Sequence, residues 1–425
     1  MPIRAGEDVA RFASSFSDIE TLAWPGERDA CGVGFVAHAG GRRSHDILAH
    51  GLQALSNLAH RGAVSADGKT GDGAGVLTQV PHRLFRRELE ARGIQLERDR
   101  DLGVGVFFAA NDAPFERIYA LIRDEIARSP LKRLMWRDPP LDDDALGADA
   151  RARRPIIRQV LVARPEWQSD DAFERSLYLT RKRIQRRLAE AGLGRAYSCS
   201  FSSRTISYKG LMAADQLPAF YLDLADPDYE TAITVFHQRY STNTLPRWSL
   251  AQPFRLLGHN GEINTLQGNV NFMRAREPRL TSHVWGSDVR DLLPVIEPQG
   301  SDSAALDNAL ELLTLSGRDL LHALLMLAPQ AYEQDVEIDD DLRGFYEYHA
   351  TLMEPWDGPS ALAMSDGRYA VAGLDRNGLR PQRYWITSDD LVIVASEAGV
   401  LPLEEERVIE RGRLGPGRLL AVDTL

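Results

Sequence analysis

The chain has 425 residues, 44% of them apolar and 26% charged, an ordinary globular composition that excludes wholesale disorder and allows one large domain or two to three smaller ones. Its formal charge of −11 and pI near 5.5 exclude broad affinity for nucleic acid or anionic membrane, because phosphate surfaces need a concentrated positive field. Only Cys31 and Cys199 carry thiols, too few and too far apart for a Cys-x-x-Cys metal site and consistent with a reducing compartment.

Residues 1–30 contain scattered acids and no apolar signal core, and no later stretch holds about eighteen consecutive apolar residues. A cytoplasmic protein is the expectation. The run "GVGFVA" (32–37) predicts a buried strand, and 44–60 an amphipathic helix with Leu48, Leu52, Leu55 and Leu58 as its stripe and Ser44 as N-cap. A glycine-rich turn over 68–75 leads to a strand at 76–80. The pattern continues with a strand at 102–110, a helix at 115–127, an acidic surface loop at 137–149, a strand at 155–163 and a long helix near 170–191. Within that last helix "TRKRIQRRL" (180–188) reads as a solvated basic face. Strands at 361–365, 369–375 and 390–396 follow one another, with Gly367 in the first connecting turn. Antiparallel sheets faced by helices account for this order. No internal repeat or low-complexity tract is visible.

Cys31 opens the first strand in "ERDACGVGFVA". One reading is a small buried hydrophobe, as most cysteines without a disulfide are. The other takes the following glycines as leaving room around the sulfur and its backbone nitrogen. If the chain were cut between Ala30 and Cys31, thiol and α-amine would share one residue. An α-amine, with a reference pKa of about 7.7–8.0, then serves as base for its own nucleophile. A second polar concentration spans 235–269: a strand ending in Arg239, the cluster Ser241 to Thr244, and "HNGEIN" from His259 to Asn264. Arginine forks bind carboxylates, and an Asn-Gly pair offers an amide and an open backbone N–H to an oxyanion. The bland alternative for Asn260-Gly261 is a simple turn.

The motifs "CGVGFVA", "LAHRGAVSADGKTGDGAG", "HQRYSTNT", "HNGEINTLQGNVNFMRAR", "QGSDSAALDNALELL", "MEPWDGPSAL" and "DRNGLRPQRYW", in this order, resemble the glutaminase domain of the glutamate synthase large subunit, a class II amidotransferase with an N-terminal nucleophile (Ntn-hydrolase). The resemblance is strongest over 31–398, with the remainder linker-like or final strands. It implies an α+β fold, a four-layer α/β/β/α sandwich of two antiparallel sheets between helical layers, and a propeptide over 1–30. The implied reaction is hydrolysis of L-glutamine to L-glutamate and ammonia. Cys31 would be the nucleophile and Asn260 with Gly261 would hold the oxyanion. Arg239 would bind the α-carboxylate and Asp302 the α-ammonium, with Thr242 lining the pocket and Arg61 near the nucleophile. A surface arginine and a helix N-cap aspartate are the bland alternatives for Arg239 and Asp302. Cys199 falls in no catalytic motif and is expected to be structural. The resemblance implies no cofactor or metal in this chain. FMN and an iron–sulfur cluster belong to a synthase region or partner subunit that receives the ammonia. An amide hydrolase of the same type acting on another substrate, and a non-catalytic regulatory subunit, are the competing functions. They differ in whether both ends of a free amino acid are recognised and whether the leader is removed.

Overall fold

The strand β1 (Gly32–His38) is buried at every position, as a strand must be when it lies in a sheet covered on both faces. The computed structural model describes residues 31–239, 247–298 and 300–425; the expected propeptide and Thr242 lie outside the described residues. The other strands, in chain order, are β2 (Ala74–Gln79), β3 (Leu102–Ala109), β4 (Lys132–Arg137), β5 (Ile156–Ala163), β6 (Tyr197–Ser202), β7 (Thr205–Gly210) and β8 (Ile233–Gln238). They are followed by β9 (Leu257–Gly261), β10 (Ser360–Ser365), β11 (Tyr369–Leu374), β12 (Arg383–Thr387), β13 (Leu391–Ala395), β14 (Val408–Arg413) and β15 (Leu419–Asp423).

The order β14-β12-β13-β1-β8-β2-β7 makes one sheet and β15-β11-β10-β9 a second, with antiparallel pairing in both. Their inner faces share one apolar layer, in which Val33, Phe35 and Ala37 of β1 meet Ala361, Ala363 and Ala372 of the second sheet. Small residues on the second sheet let the layers approach. On the outer face of the first sheet, Val36 and Phe236 pack beneath Leu48 and Leu55 of the His45–Asn57 helix. On the outer face of the second, Leu362, Met364 and Val371 pack beneath Leu306 and Leu310 of the Asp302–Leu315 helix and Leu324 of the Leu320–Leu327 helix. Helix, sheet, sheet and helix are thus stacked in the expected α/β/β/α order. Residues beyond 398 supply the edge strands β14 and β15.

Between β2 and β7 the chain builds a third antiparallel sheet, β4-β5-β3-β6, covered by the Phe115–Arg128 and Asp170–Glu190 helices through Ile122, Ile126, Leu177 and Ile184. The element types agree with the sequence reading, but their strands pair with one another and form a unit beside the sandwich. The basic run 180–188 also departs from expectation. Arg181 and Lys182 are buried: Arg181 pairs with Glu311 and Glu297, and Lys182 Nζ donates to the Pro294 carbonyl at 2.6 Å. Arg183 and Arg186 both reach Asp291. Glu297, Glu311 and Asp291 lie more than a hundred residues away in sequence, so the run alone looks solvated. Ser44 occupies the N-cap position without a side-chain capping bond; its backbone instead bridges to Thr231.

Candidate active site

β1 and β8 pair with Gly32 opposite Gln238. Cys31 and Arg239 each lie one residue beyond that pair, and the Arg239 charge acts on the Cys31 thiol. Arg239 has φ +87°, a rare conformation for a bulky residue and one that the surrounding structure must impose. Its backbone N–H donates to the Gly73 carbonyl at 2.7 Å, and its Nε lies 3.2 Å from Asp72 Oδ2. With only 18% of its side chain exposed, Arg239 is no surface arginine. Burial pushes the Cys31 thiol up to about 12, against the pull of Arg239 and with a smaller push from Asp72. Burial likewise raises the Asp72 carboxyl to about 6.

The glycines after Cys31 do not leave open space. A Cβ at Gly34 would fall 2.1 Å from the Val394 carbonyl oxygen, and one at Gly32 would fall 2.8 Å from Leu58 Cβ. They are required because neighbouring strands and the helix end press against β1.

Asn260 and Gly261 come from the second sheet. Asn260 pairs with Ala361 and Gly261 with Ser360, so the pair sits in strand β9 and the simple-turn alternative fails. The sheets are tied here by His237 of β8, whose Nε2 is 3.0 Å from the His259 carbonyl. Burial lowers the His237 pKa to about 4, so the ring is neutral and donates from Nε2. Gln252 holds the same residue from another side, accepting from His259 N at 2.7 Å and donating to its carbonyl at 3.3 Å. Asn260 is 1% exposed, yet neither side-chain Oδ1 nor Nδ2 has a hydrogen-bond partner among the described residues. A buried amide left unsatisfied costs about 1–3 kcal/mol, a penalty that an acceptor bound beside Nδ2 would relieve.

The Asp302–Leu315 helix clamps both ends of β9. Asp302 Oδ2 accepts from Ile263 N at 3.0 Å beyond the strand, Ser303 Oγ meets His259 Nδ1 at 2.7 Å, and Asp307 accepts from Leu256 N at 2.9 Å before it. The N-cap of this helix is Ser301, which accepts from Ala304 N; Asp302 is therefore buried in the first turn and is not the cap. The Arg61 guanidinium forks onto Glu397 at 3.0 and 3.1 Å, anchoring the loop after β13. The charges acting most on the thiol are Arg239, Asp72, Arg380 and Asp302. Asp72 and Arg380 went unassigned in the sequence, although both stand within motifs that carried the resemblance. Cys199 is fully buried in β6 within the apolar core. Among the described residues, no group of three or more His, Cys, Asp or Glu side chains is placed to hold a metal ion, and no helix is long and apolar enough to cross a membrane.

Residues 31–425 match the family of class II glutamine amidotransferases. The chain belongs to that family. It is 45% identical over 401 residues to ferredoxin-dependent glutamate synthase 2 of Synechocystis sp., covering 93% of this chain and 26% of that protein. It is also 45% identical over 400 residues to the glutamate synthase [NADPH] large chain of Azospirillum brasilense, with the same coverage. The amidotransferase chain thus spans about a quarter of the length of these relatives. Among solved structures, glutamine phosphoribosylpyrophosphate amidotransferase from B. subtilis is similar with a TM-score of 0.31 and 12% identity over 83% of this chain and 47% of that one.

Proposed function

We propose that the chain hydrolyses the side-chain amide of L-glutamine after losing residues 1–30, and passes the ammonia to a synthase region or partner that makes glutamate from 2-oxoglutarate. The observation that supports this reading is the Arg239 charge acting on the Cys31 thiol, together with a buried Asn260 amide whose donor has no acceptor among the described residues. In the mature chain the Cys31 α-amine takes the thiol proton as sulfur attacks the carboxamide carbon. The oxyanion accepts hydrogen bonds from Asn260 Nδ2 and Gly261 N–H. Collapse breaks the C–N bond, the α-ammonium returns its proton to the leaving nitrogen, and ammonia departs from a γ-glutamyl thioester. Water, deprotonated by the same amine, attacks the thioester and releases glutamate and the thiol. In the uncut chain burial holds the thiol protonated near neutrality, and the α-amine freed by cleavage supplies the missing base. Arg239 would fork onto the α-carboxylate and Asp302 would take the α-ammonium, with Thr242 lining the same pocket. Arg61, tied to Glu397, would support the site through its loop. FMN and iron–sulfur chemistry would belong to the region receiving the ammonia, as the sequence resemblance implies.

The test compares glutamine with N-acyl amides as substrates of the chain beginning at Cys31. Glutamine turnover that collapses when either the α-amine or the α-carboxylate of the substrate is blocked supports the reading. Equal turnover of blocked substrates would establish an acylase instead, and no turnover of either would leave a binding subunit.

A further inference from the structure

A cavity of about 840 Å³ opens between the third-sheet unit and the Asp302–Leu315 helix, within the range of about 300–1,000 Å³ typical of small-molecule sites. None of Cys31, Arg239, Asn260 and Asp302 is among its described lining residues, so it is distinct from the glutaminase centre. Its walls include Phe108, Leu250 and Phe254. Its polar groups are chiefly donors. Trp248 is 6% exposed and Arg255 5% exposed, and the Nε1 of the first and the Nε of the second are buried without an acceptor among the described residues. Lys182, also buried, turns Nζ toward the carbonyls of Pro294 and Val295 at 2.6 and 3.4 Å. Neither is an anion. Glu297, the acid deepest in the lining, is already held by Arg181, Arg255 and Gln185.

Buried donors lacking acceptors are costly, and two of them around one apolar-walled space, beside a Lys182 ammonium held only by carbonyls, favour a guest that brings acceptors and negative charge. We propose that this cavity is a second ligand site, for a small organic anion that combines a carboxylate with an apolar, ring-sized body. Lys182 and Arg255 meet the carboxylate, Trp248 N–H adds a further donor, and Phe108 and Phe254 enclose the body. Burial lowers the Lys182 pKa to about 8, and an anion beside it restores the charged form.

The experiment is titration calorimetry on the full chain with three probes: indole-3-acetate, its neutral amide indole-3-acetamide, and inorganic phosphate. The expected result is saturable one-site binding of indole-3-acetate, with the amide and phosphate each at least about tenfold weaker, the scale of one charge-assisted hydrogen bond or of the apolar contact. Lys182→Met should abolish the preference for the acid over the amide. Ala189→Trp, at an exposed helical position on the cavity lining, should block binding without touching a donor, and it decides the matter if Lys182→Met fails to fold. Absence of saturable binding overturns the proposal. So does equal affinity for acid and amide, phosphate binding alone, or binding that survives Ala189→Trp.

Discussion

Replacing Gly261 by alanine tests whether the β9 end is built as an oxyanion site. Gly261 has φ +152°, and a Cβ there would lie 1.8 Å from the Pro359 carbonyl oxygen, where contacts under 3.0 Å are essentially never tolerated. The seam between β9 and β10 must therefore open by at least about 1.2 Å, against the pairing of Gly261 with Ser360 and the hydrogen bond from Glu262 N to Pro359 O at 3.0 Å. The atoms that move are those proposed to meet the developing negative charge, and a displacement of about 1 Å in a reacting geometry is enough for about a 10²-fold loss. The glutamine KM should change much less, because Arg239 and Asp302 lie on other elements. Backbone strain and loss of the terminal pair should lower stability by about 1–3 kcal/mol. The assay is kcat per active site, titrated with a glutamine-like electrophile that alkylates Cys31, alongside urea unfolding. Gly268→Ala is the control: it lies in the Leu266–Arg276 helix with nothing within 4 Å of the added methyl, so it should gain about 0.5–1 kcal/mol and keep its kcat. A folded, fully titratable Gly261→Ala chain with the kcat of the parent would refute the reasoning.

Asn260→Ala should lower kcat by about 10²–10³-fold with a smaller effect on KM; normal turnover per titrated site would remove its amide from the mechanism. Arg239→Lys keeps the charge but loses the fork, so steady-state kinetics should show a raised glutamine KM, and an unchanged KM would exclude Arg239 from binding. Burial raises the Asp72 carboxyl to about 6 from its ordinary value of 3.8, so the folded chain holds this proton more tightly than the unfolded one. That stabilisation is complete below about pH 4 and lost as pH rises through about 6. Relative to the parent, Asp72→Asn should gain about 2–3 kcal/mol in unfolding free energy between those limits, and parallel stability curves would contradict the shift. Active material should begin at Cys31 by intact mass. In the uncut chain, a thiol near 12 leaves a thiolate fraction of about 10⁻⁴ at pH 8, so alkylation of Cys31 should be slow before cleavage and fast after it. Equal rates in both forms would count against the α-amine as base.

The sequence by itself determined the order of the elements and the chemistry available to the site. Alternating and continuous apolar runs marked β1, β3, β5, β10, β11 and β13, because burial on a pleated surface leaves a local signature. The motifs around Cys31, Arg239, Asn260 and Asp302 named the candidate residues through the family resemblance they carry. Only the tertiary structure decided which strands share a sheet, and it set β3 to β6 apart from the sandwich, since pairing partners depend on contacts that local periodicity does not encode. It also showed the basic helix 180–188 to be buried against acids remote in sequence, and the glycines after Cys31 to be packing requirements. Asp72, His237, Gln252, Ser303 and Asp307 enter the site description through hydrogen bonds and ion pairs that join distant segments. Such roles follow from where the fold places a side chain, and a residue's neighbours along the chain carry no record of them.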